Sequence, residues 1–134
     1  GKSFTYMTTN QDIMNTLQYV YAHIEKNGKF IFDNFNATKI IEMKKKRFVQ
    51  EAMFGKRKYK RVSTKTPNLK TGWTENWNAS YYITENGKTK VVRDKAIVRS
   101  FTHDEISLFL KINDFEVLEN SEEDSTLFTV ARKE

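Results

Sequence analysis

The sequence predicts an α/β domain, the second half of a doubly wound sheet into which an antiparallel β region is set. Three observations carry this. The run Lys29-Phe30-Ile31-Phe32 follows a helix that stops at Asn27-Gly28, and its consecutive apolar residues suit a strand buried on both faces, the habit of parallel sheets. The stretch from Trp73 to Thr84 alternates between two faces as far as Asn86-Gly87, the strongest short-range hairpin signal. The chain then closes with a helix and two strands between Thr102 and Ala131.

Taken in order, Thr9 or Asn10 is a natural N-cap, and Ile13, Leu17, Val20 and Ile24 recur at helical spacing. Gly28 stands where a left-handed cap is wanted. His23 has no Cys, Asp or second His at metal-ligand spacing and reads as a surface or helix-end residue. The strand at Phe30–Phe32 turns abruptly to Asp33, Asn34 and Asn36. Ligands in open α/β sheets sit beyond the carboxyl ends of the strands, which makes this cluster a candidate site. A solvated turn held by Asx hydrogen bonds accounts for the same residues.

Ala37 to Met43 has room for one or two helical turns. Lys56 to Lys65 is charged on both faces and reads as an exposed edge strand or mobile ribbon, and Pro67 to Gly72 reads as a loop. A two-residue turn at Asn86-Gly87 sets Glu85 opposite Lys88, Ile83 opposite Lys90, Tyr81 opposite Val92 and Trp77 opposite Ala96. One face of that ribbon then carries Trp73, Trp77, Ala79, Tyr81 and Ile83, and the other is polar with Arg93, Lys95 and Arg99.

Thr102-His103-Asp104-Glu105 reads as a capping box, opening a helix with Ile106, Phe109 and Leu110 inward. The helix start explains His103 without catalysis. Phe115 to Leu118 is a strand, Asn120 to Ser125 an acidic turn and Leu127 to Ala131 the last strand. A buried strand at Phe30–Phe32 needs neighbours on both sides, and Gly1 to Tyr6 is too short to supply one. Its earlier neighbours are therefore expected outside this chain.

A length of 134 residues suits one domain. The absence of cysteine excludes disulfides, thiolate metal sites and cysteine nucleophiles, and fits a reducing cytoplasm. No apolar stretch approaches the roughly 20 residues of a membrane span. The net charge of +6 is local: ten Lys and Arg stand between positions 44 and 65, including Lys44, Lys45, Lys56, Arg57, Lys58 and Lys60, against Glu51 alone. Such a segment attracts nucleic acid or another anionic partner, and it equally serves as a lysine-guarded sheet edge.

Phe4-Thr5-Tyr6-Met7-Thr8-Thr9-Asn10-Gln11-Asp12-Ile13, then Leu17, then His23-Ile24-Glu25-Lys26-Asn27-Gly28-Lys29-Phe30-Ile31-Phe32-Asp33, resembles class I S-adenosylmethionine-dependent methyltransferases of the small-molecule type. There a SYxTTNxD stretch follows the fourth strand, and a helix ending HLKPGG leads into a fifth strand reading LFIFDxWN. Phe101-Thr102-His103-Asp104-Glu105-Ile106 and Asn113-Asp114-Phe115-Glu116-Val117 are similar to the family's later helix and sixth strand, and Phe128 to Lys133 to its last strand. The likeness skips roughly residues 40 to 98, where the family carries variable insertions. Asn27 replaces the usual proline, Asn113-Asp114 an Ala-Gly pair, and Asn34-Phe35 varies the signature after the strand.

The resemblance implies the C-terminal half of a Rossmann-like methyltransferase sheet, residues 1–134 forming one partial domain with an antiparallel region inserted at 44–100. It implies S-adenosylmethionine as cofactor of the complete enzyme, with Phe4, Tyr6 and Met7 on the cofactor side. Asn34 and Asn36, with Trp73, Trp77, Tyr81, Arg93 and Arg99 from the inserted sheet, would face a small-molecule methyl acceptor, which Tyr6 or Asp33 would orient or deprotonate. The family's glycine-rich cofactor loop has no counterpart, since Gly1, Gly28, Gly55, Gly72 and Gly87 stand far apart. The chain alone is thus expected to be inactive and to need a missing N-terminal half as partner. Two other readings remain: a basic β-ribbon with Tyr59 that clasps nucleic acid, alone or as the arm of an RNA methyltransferase, and a homodimer through the apolar hairpin face.

Overall fold

The structure, a computed structural model, describes residues 2–42 and 46–134. Met43, which ends the expected helical turns, and Lys44 and Lys45 of the basic segment lie outside the described residues, as does Gly1. A 3-10 turn at Ser3–Tyr6 precedes α1 (Asn10–His23), β1 (Lys29–Phe35) and α2 (Ala37–Glu42). Four strands follow: β2 (Arg47–Phe54), β3 (Arg57–Pro67), β4 (Trp73–Glu85) and β5 (Lys88–Ser100). Helix α3 (His103–Ile112), β6 (Phe115–Glu123) and β7 (Thr126–Lys133) complete the chain.

The strands form two sheets. One has the order β1-β7-β6, and the other is the antiparallel meander β2-β3-β4-β5. Strand β7 is antiparallel to both neighbours, so β1 and β6 run parallel with the reversed last strand between them. Helices α1 and α3 cover one face of this sheet, where Ile13, Leu17, Ile106, Leu110, Phe101 and Phe115 are buried. Each such side chain contributes roughly 1.5–3 kcal/mol by leaving water.

β1 departs from the expectation of a strand buried on both faces. Phe30 and Phe32 pack on the helix-covered core, but Ile31 points the other way and is 56% exposed. Among the described residues β7 is the one strand paired with β1, and its opposite edge is free. This is not a closed barrel or sandwich. Phe128, opposite Asp33, is likewise exposed on the uncovered face.

The helix starts follow their caps. The Thr9 hydroxyl accepts from Asp12 N at 3.1 Å, and Thr102 and Glu105 form a complete capping box. The end of α1 differs from expectation. The left-handed residue is Asn27 (φ 65°), a conformation closed to the family's proline, whose ring holds φ near −65°. Gly28 is required by crowding instead: a Cβ there would overlap Ile24 Cγ2 and stand 2.8 Å from Glu25 O. Gly28→Ala is expected to lower stability by about 2 kcal/mol, the cost of forcing an atom into a packed turn, as checked by urea unfolding.

Two further expectations are corrected. The charged stretch Lys56–Lys65 lies mostly in β3, an interior strand paired on both sides, and the edge is β2. Its charges are neutralised laterally, Arg57 by Glu85 on one face and both Lys58 and Lys60 by Glu51 on the other. The acidic turn expected at Asn120–Ser125 is mainly strand: β6 continues to Glu123, and Asp124 and Ser125 alone make the turn, with Asp124 at φ 50°. The Asn86-Gly87 hairpin has the expected register at all four pairs.

The ends of β1 and β5 join the two sheets. Phe101 N donates to Phe35 O and Ala37 N to Phe101 O, both at 3.0 Å, and Asn36 N donates to Ser125 O at 2.8 Å. The carboxyl end of β1 is thereby held against the meander.

Candidate functional site

At this junction the inner face of the meander, α2 and the end of β1 border two neighbouring half-open cavities. The larger, of about 310 Å³, lies between Phe35 of β1, Phe48 of β2, Lys65 of β3, Trp77 of β4 and Val98 of β5. The smaller, of about 200 Å³, is lined by Lys46, Pro67, Leu69, Trp73 and Glu75. Ile40 of α2 borders both. Strand alternation explains the lining: Trp73, Glu75, Trp77, Ala79 and Tyr81 share one face of β4, and pairing sets Lys65 beside Trp77 and Pro67 beside Glu75.

The charges here are unusual for so apolar a space. Lys65 Nζ sits 4.0 Å from the centre of the Phe35 ring, a cation–π contact. Burial holds the Lys65 ammonium below the ordinary lysine range; the Glu75 carboxylate opposes that shift, while Lys46 and Lys2 add to it. Glu75 is buried, its side chain 6% exposed, and neither carboxylate oxygen has a hydrogen-bond partner among the described residues. Lys46 Nζ lies 3.8 Å from Glu75 Oε2 while donating to Ile40 O at 3.4 Å.

The sequence-based candidates scatter around this site. Trp73 and Trp77 line the cavities, and Tyr81 is half-buried further along the same face. Arg93 and Arg99 belong to the opposite face, across from Ser80 and Thr74. Arg93 is exposed there, whereas Arg99 is 3% exposed and bonded to Asn10 Oδ1 at 2.8 Å and Glu105 Oε1 at 3.4 Å. Asn36 caps α2, accepting from Thr38 N at 3.1 Å and donating to Glu122 at 2.7 Å. Asn34 is fully buried, its Nδ2 donating to Phe35 O at 2.9 Å.

The N-terminal candidates gather at β1. Asp33 Oδ1 accepts from Lys2 N at 2.8 Å, and Lys2 Nζ lies 3.9 Å from Oδ2. Phe4 stacks on Phe32 at 4.5 Å inside the core. Met7 is half-buried and Tyr6 is 62% exposed. A wide groove runs along the free edge of β1, touching Phe4, Met7, Phe30, Ile31 and Asp33. His23 and His103 stay outside both cavities: His23 Nδ1 bonds Tyr19 O, and His103 lies 3.5 Å from Glu122. No cluster of acids and histidines suited to a metal occurs among the described residues. Nor is any helix among them long and apolar enough to cross a membrane.

Sequence reasoning missed Lys65 and Glu75. The signal for Glu75 was present, since period two sets it between Trp73 and Trp77 as the charged residue on an aromatic face. Lys65 stood among so many lysines that only strand pairing distinguishes it.

No family model and no curated protein matches the sequence. Solved structures do match the fold. DesVI from Streptomyces venezuelae aligns with a TM-score of 0.81 at 16% identity over 100% of this chain and 56% of its own. CalS10, an amino pentose methyltransferase from Micromonospora echinaspora solved with S-adenosylmethionine bound, aligns with a TM-score of 0.78 at 14% identity over 100% and 56%. An S-adenosylmethionine-dependent methyltransferase from Clostridium acetobutylicum aligns at 0.75 and 13% identity over 98% and 55%. The chain thus spans a little over half the length of the proteins it matches. With a three-stranded α/β sheet open at β1 and an antiparallel meander beside it, the chain has the fold of the C-terminal portion of a small-molecule S-adenosylmethionine-dependent methyltransferase.

Proposed function

We propose that this chain forms the acceptor-side part of an S-adenosylmethionine-dependent methyltransferase acting on a small molecule, and that an N-terminal half completes the sheet along the free edge of β1. The observation that carries this is the open edge and uncovered face of β1, with Ile31 and Phe128 exposed, in a chain whose fold aligns with just over half the length of solved methyltransferases. An unpaired edge next to apolar side chains is normally covered.

The residues present fit one wall of a cofactor site. Met7 offers thioether surface in the groove at β1, with Phe4 of the core beside it, and Tyr6, one position earlier, is an exposed aromatic ring. The glycine turn and the acid that hold the rest of such a cofactor belong to the other half in this reading. S-adenosylmethionine supplies an activated methyl group. The chain's own contribution is positioning: an in-line displacement needs the acceptor atom held near the methyl carbon. In this reading Asp33, towards the carboxyl end of β1, and Tyr6 orient the acceptor or take its proton. Trp73 and Trp77 roof the acceptor cavities, with Asn34 and Asn36 fixing the β1 end beneath.

Calorimetry with S-adenosylmethionine tests this reading. Titrated alone, the chain is expected to release no measurable heat of binding. Extended by the upstream half, it is expected to bind the cofactor and transfer its methyl group. If the extended protein fails to bind, the assignment is wrong.

A further inference from the structure

We propose that Glu75 is the anchor for a protonated amine on the acceptor, seated in the smaller cavity against the Trp73 indole; this rests on the methyltransferase reading for the word acceptor, not for the binding. The side chain of Glu75 is 6% exposed and both its oxygens lack a hydrogen-bond donor among the described residues. A buried charged group without donors is costly, and native structures nearly always supply a partner. Neither nearby lysine is that partner in full: the Lys65 ammonium feels the Glu75 charge but forms no ion pair with it, and Lys46 is held off. Lys46 Nζ stands 3.8 Å away, beyond hydrogen-bond reach, and is engaged with Ile40 O. The remaining lining, Ile40, Pro67, Leu69 and Trp73, offers no donor aimed at the carboxylate.

An ammonium group supplies what is missing. It carries three donors for two vacant oxygens and a full charge to match the carboxylate. Trp73, partly exposed at the rim, presents the ring type that best attracts a cation. A metal ion is the poorer occupant, because no second acid or histidine joins Glu75 in a ligand cluster among the described residues. A hydroxyl offers a single donor and no charge. A space of about 200 Å³ admits a six-membered ring bearing one amine.

The test titrates the chain with cyclohexylammonium and, separately, with cyclohexanol at pH 7, following tryptophan fluorescence and heat. The amine is expected to bind about tenfold more tightly than the alcohol, and Glu75→Gln to remove that advantage while leaving the alcohol unchanged. Lys46→Met removes the nearer of the two competing cations, Lys65 being the other, and is expected to tighten amine binding several-fold. These opposite changes separate anchoring from general loss of structure. If the amine binds no better than the alcohol, or Glu75→Gln leaves its affinity intact, the proposal is overturned. No methyl donor is present, so the outcome is independent of whether the completed protein binds S-adenosylmethionine.

Discussion

Phe101→Ala is expected to cost about 4 kcal/mol, a large share of the stability of a domain this size. Phe101 is 0% exposed and stands where the two sheets join, in the core cluster shared with both long helices. Its ring lies edge-on to Phe4 at 5.3 Å and beneath the Arg99 guanidinium at 4.8 Å. Its backbone meanwhile bridges Phe35 and Ala37. Truncation leaves a ring-sized void that flanking strands, held by hydrogen bonds on each side, cannot close. Urea unfolding followed by circular dichroism reads the loss, and Phe101→Leu should recover more than half of it by keeping most of the volume. Hydrogen exchange gives a second readout: the amides of Phe101 and Ala37 should lose protection before those of the β4–β5 ribbon. A loss under about 1 kcal/mol would mean that the void collapses and the joint between the sheets is soft.

The parts of the fold that were legible in the sequence are those decided within a few residues. The Thr9 cap, the Thr102–Glu105 capping box and the Asn86-Gly87 turn each rest on local chemistry, and the turn alone fixes thirteen-residue strands in register because side chains alternate with period two. The run Phe30–Phe32 was readable as a strand, yet its neighbours were not, because pairing between β1 and β7 joins residues about a hundred positions apart. For the same reason the charges of Lys56–Lys65 pointed to an edge. A strand with Lys58 and Lys60 on one face and Arg57 and Arg61 on the other is unfit for a sheet interior until Glu51 and Glu85 arrive from adjacent strands. Asn27 and Gly28 illustrate a finer limit: spacing locates the end of α1, but which residue takes the left-handed conformation depends on the contact of position 28 with Ile24.

The candidate site was less legible than the fold. Its aromatic members, Trp73 and Trp77, follow from alternation. Its charged members, Lys65 and Glu75, acquire their character from burial that only the docking of α2 and β1 against the meander creates. A residue's charge is written in the sequence, whereas its loss of solvent is not. The two arginines make the same point in reverse. By type either can hold an anionic acceptor group, but Arg93 stands on the exposed outer face and Arg99 is consumed by the fold itself.

Arg99→Ala is accordingly expected to act on stability, by about 3 kcal/mol, and to leave amine and alcohol binding in the smaller cavity unchanged. The guanidinium ties three segments. Nη1 donates to Asn10 Oδ1 at 2.8 Å at the start of α1 and to Thr8 O at 3.5 Å. Nη2 meets Glu105, whose other oxygen completes the α3 capping box, while the plane covers Phe101. The approach is so close that a Cβ on Gly72, itself at φ 56°, would stand 3.0 Å from Nη2. Removing the side chain strips Glu105 of its cation and opens space over Phe101. Arg99→Lys should recover less than half, because a point charge cannot serve acceptors on two helices from one planar fork. Arg99→Ala should also lower the unfolding midpoint without altering the denaturant slope, since the surface exposed on unfolding barely changes. If Arg99→Ala instead abolished ligand binding in a folded protein, the guanidinium would have to reach the cavities, and the assignment of the two faces of β5 would be wrong.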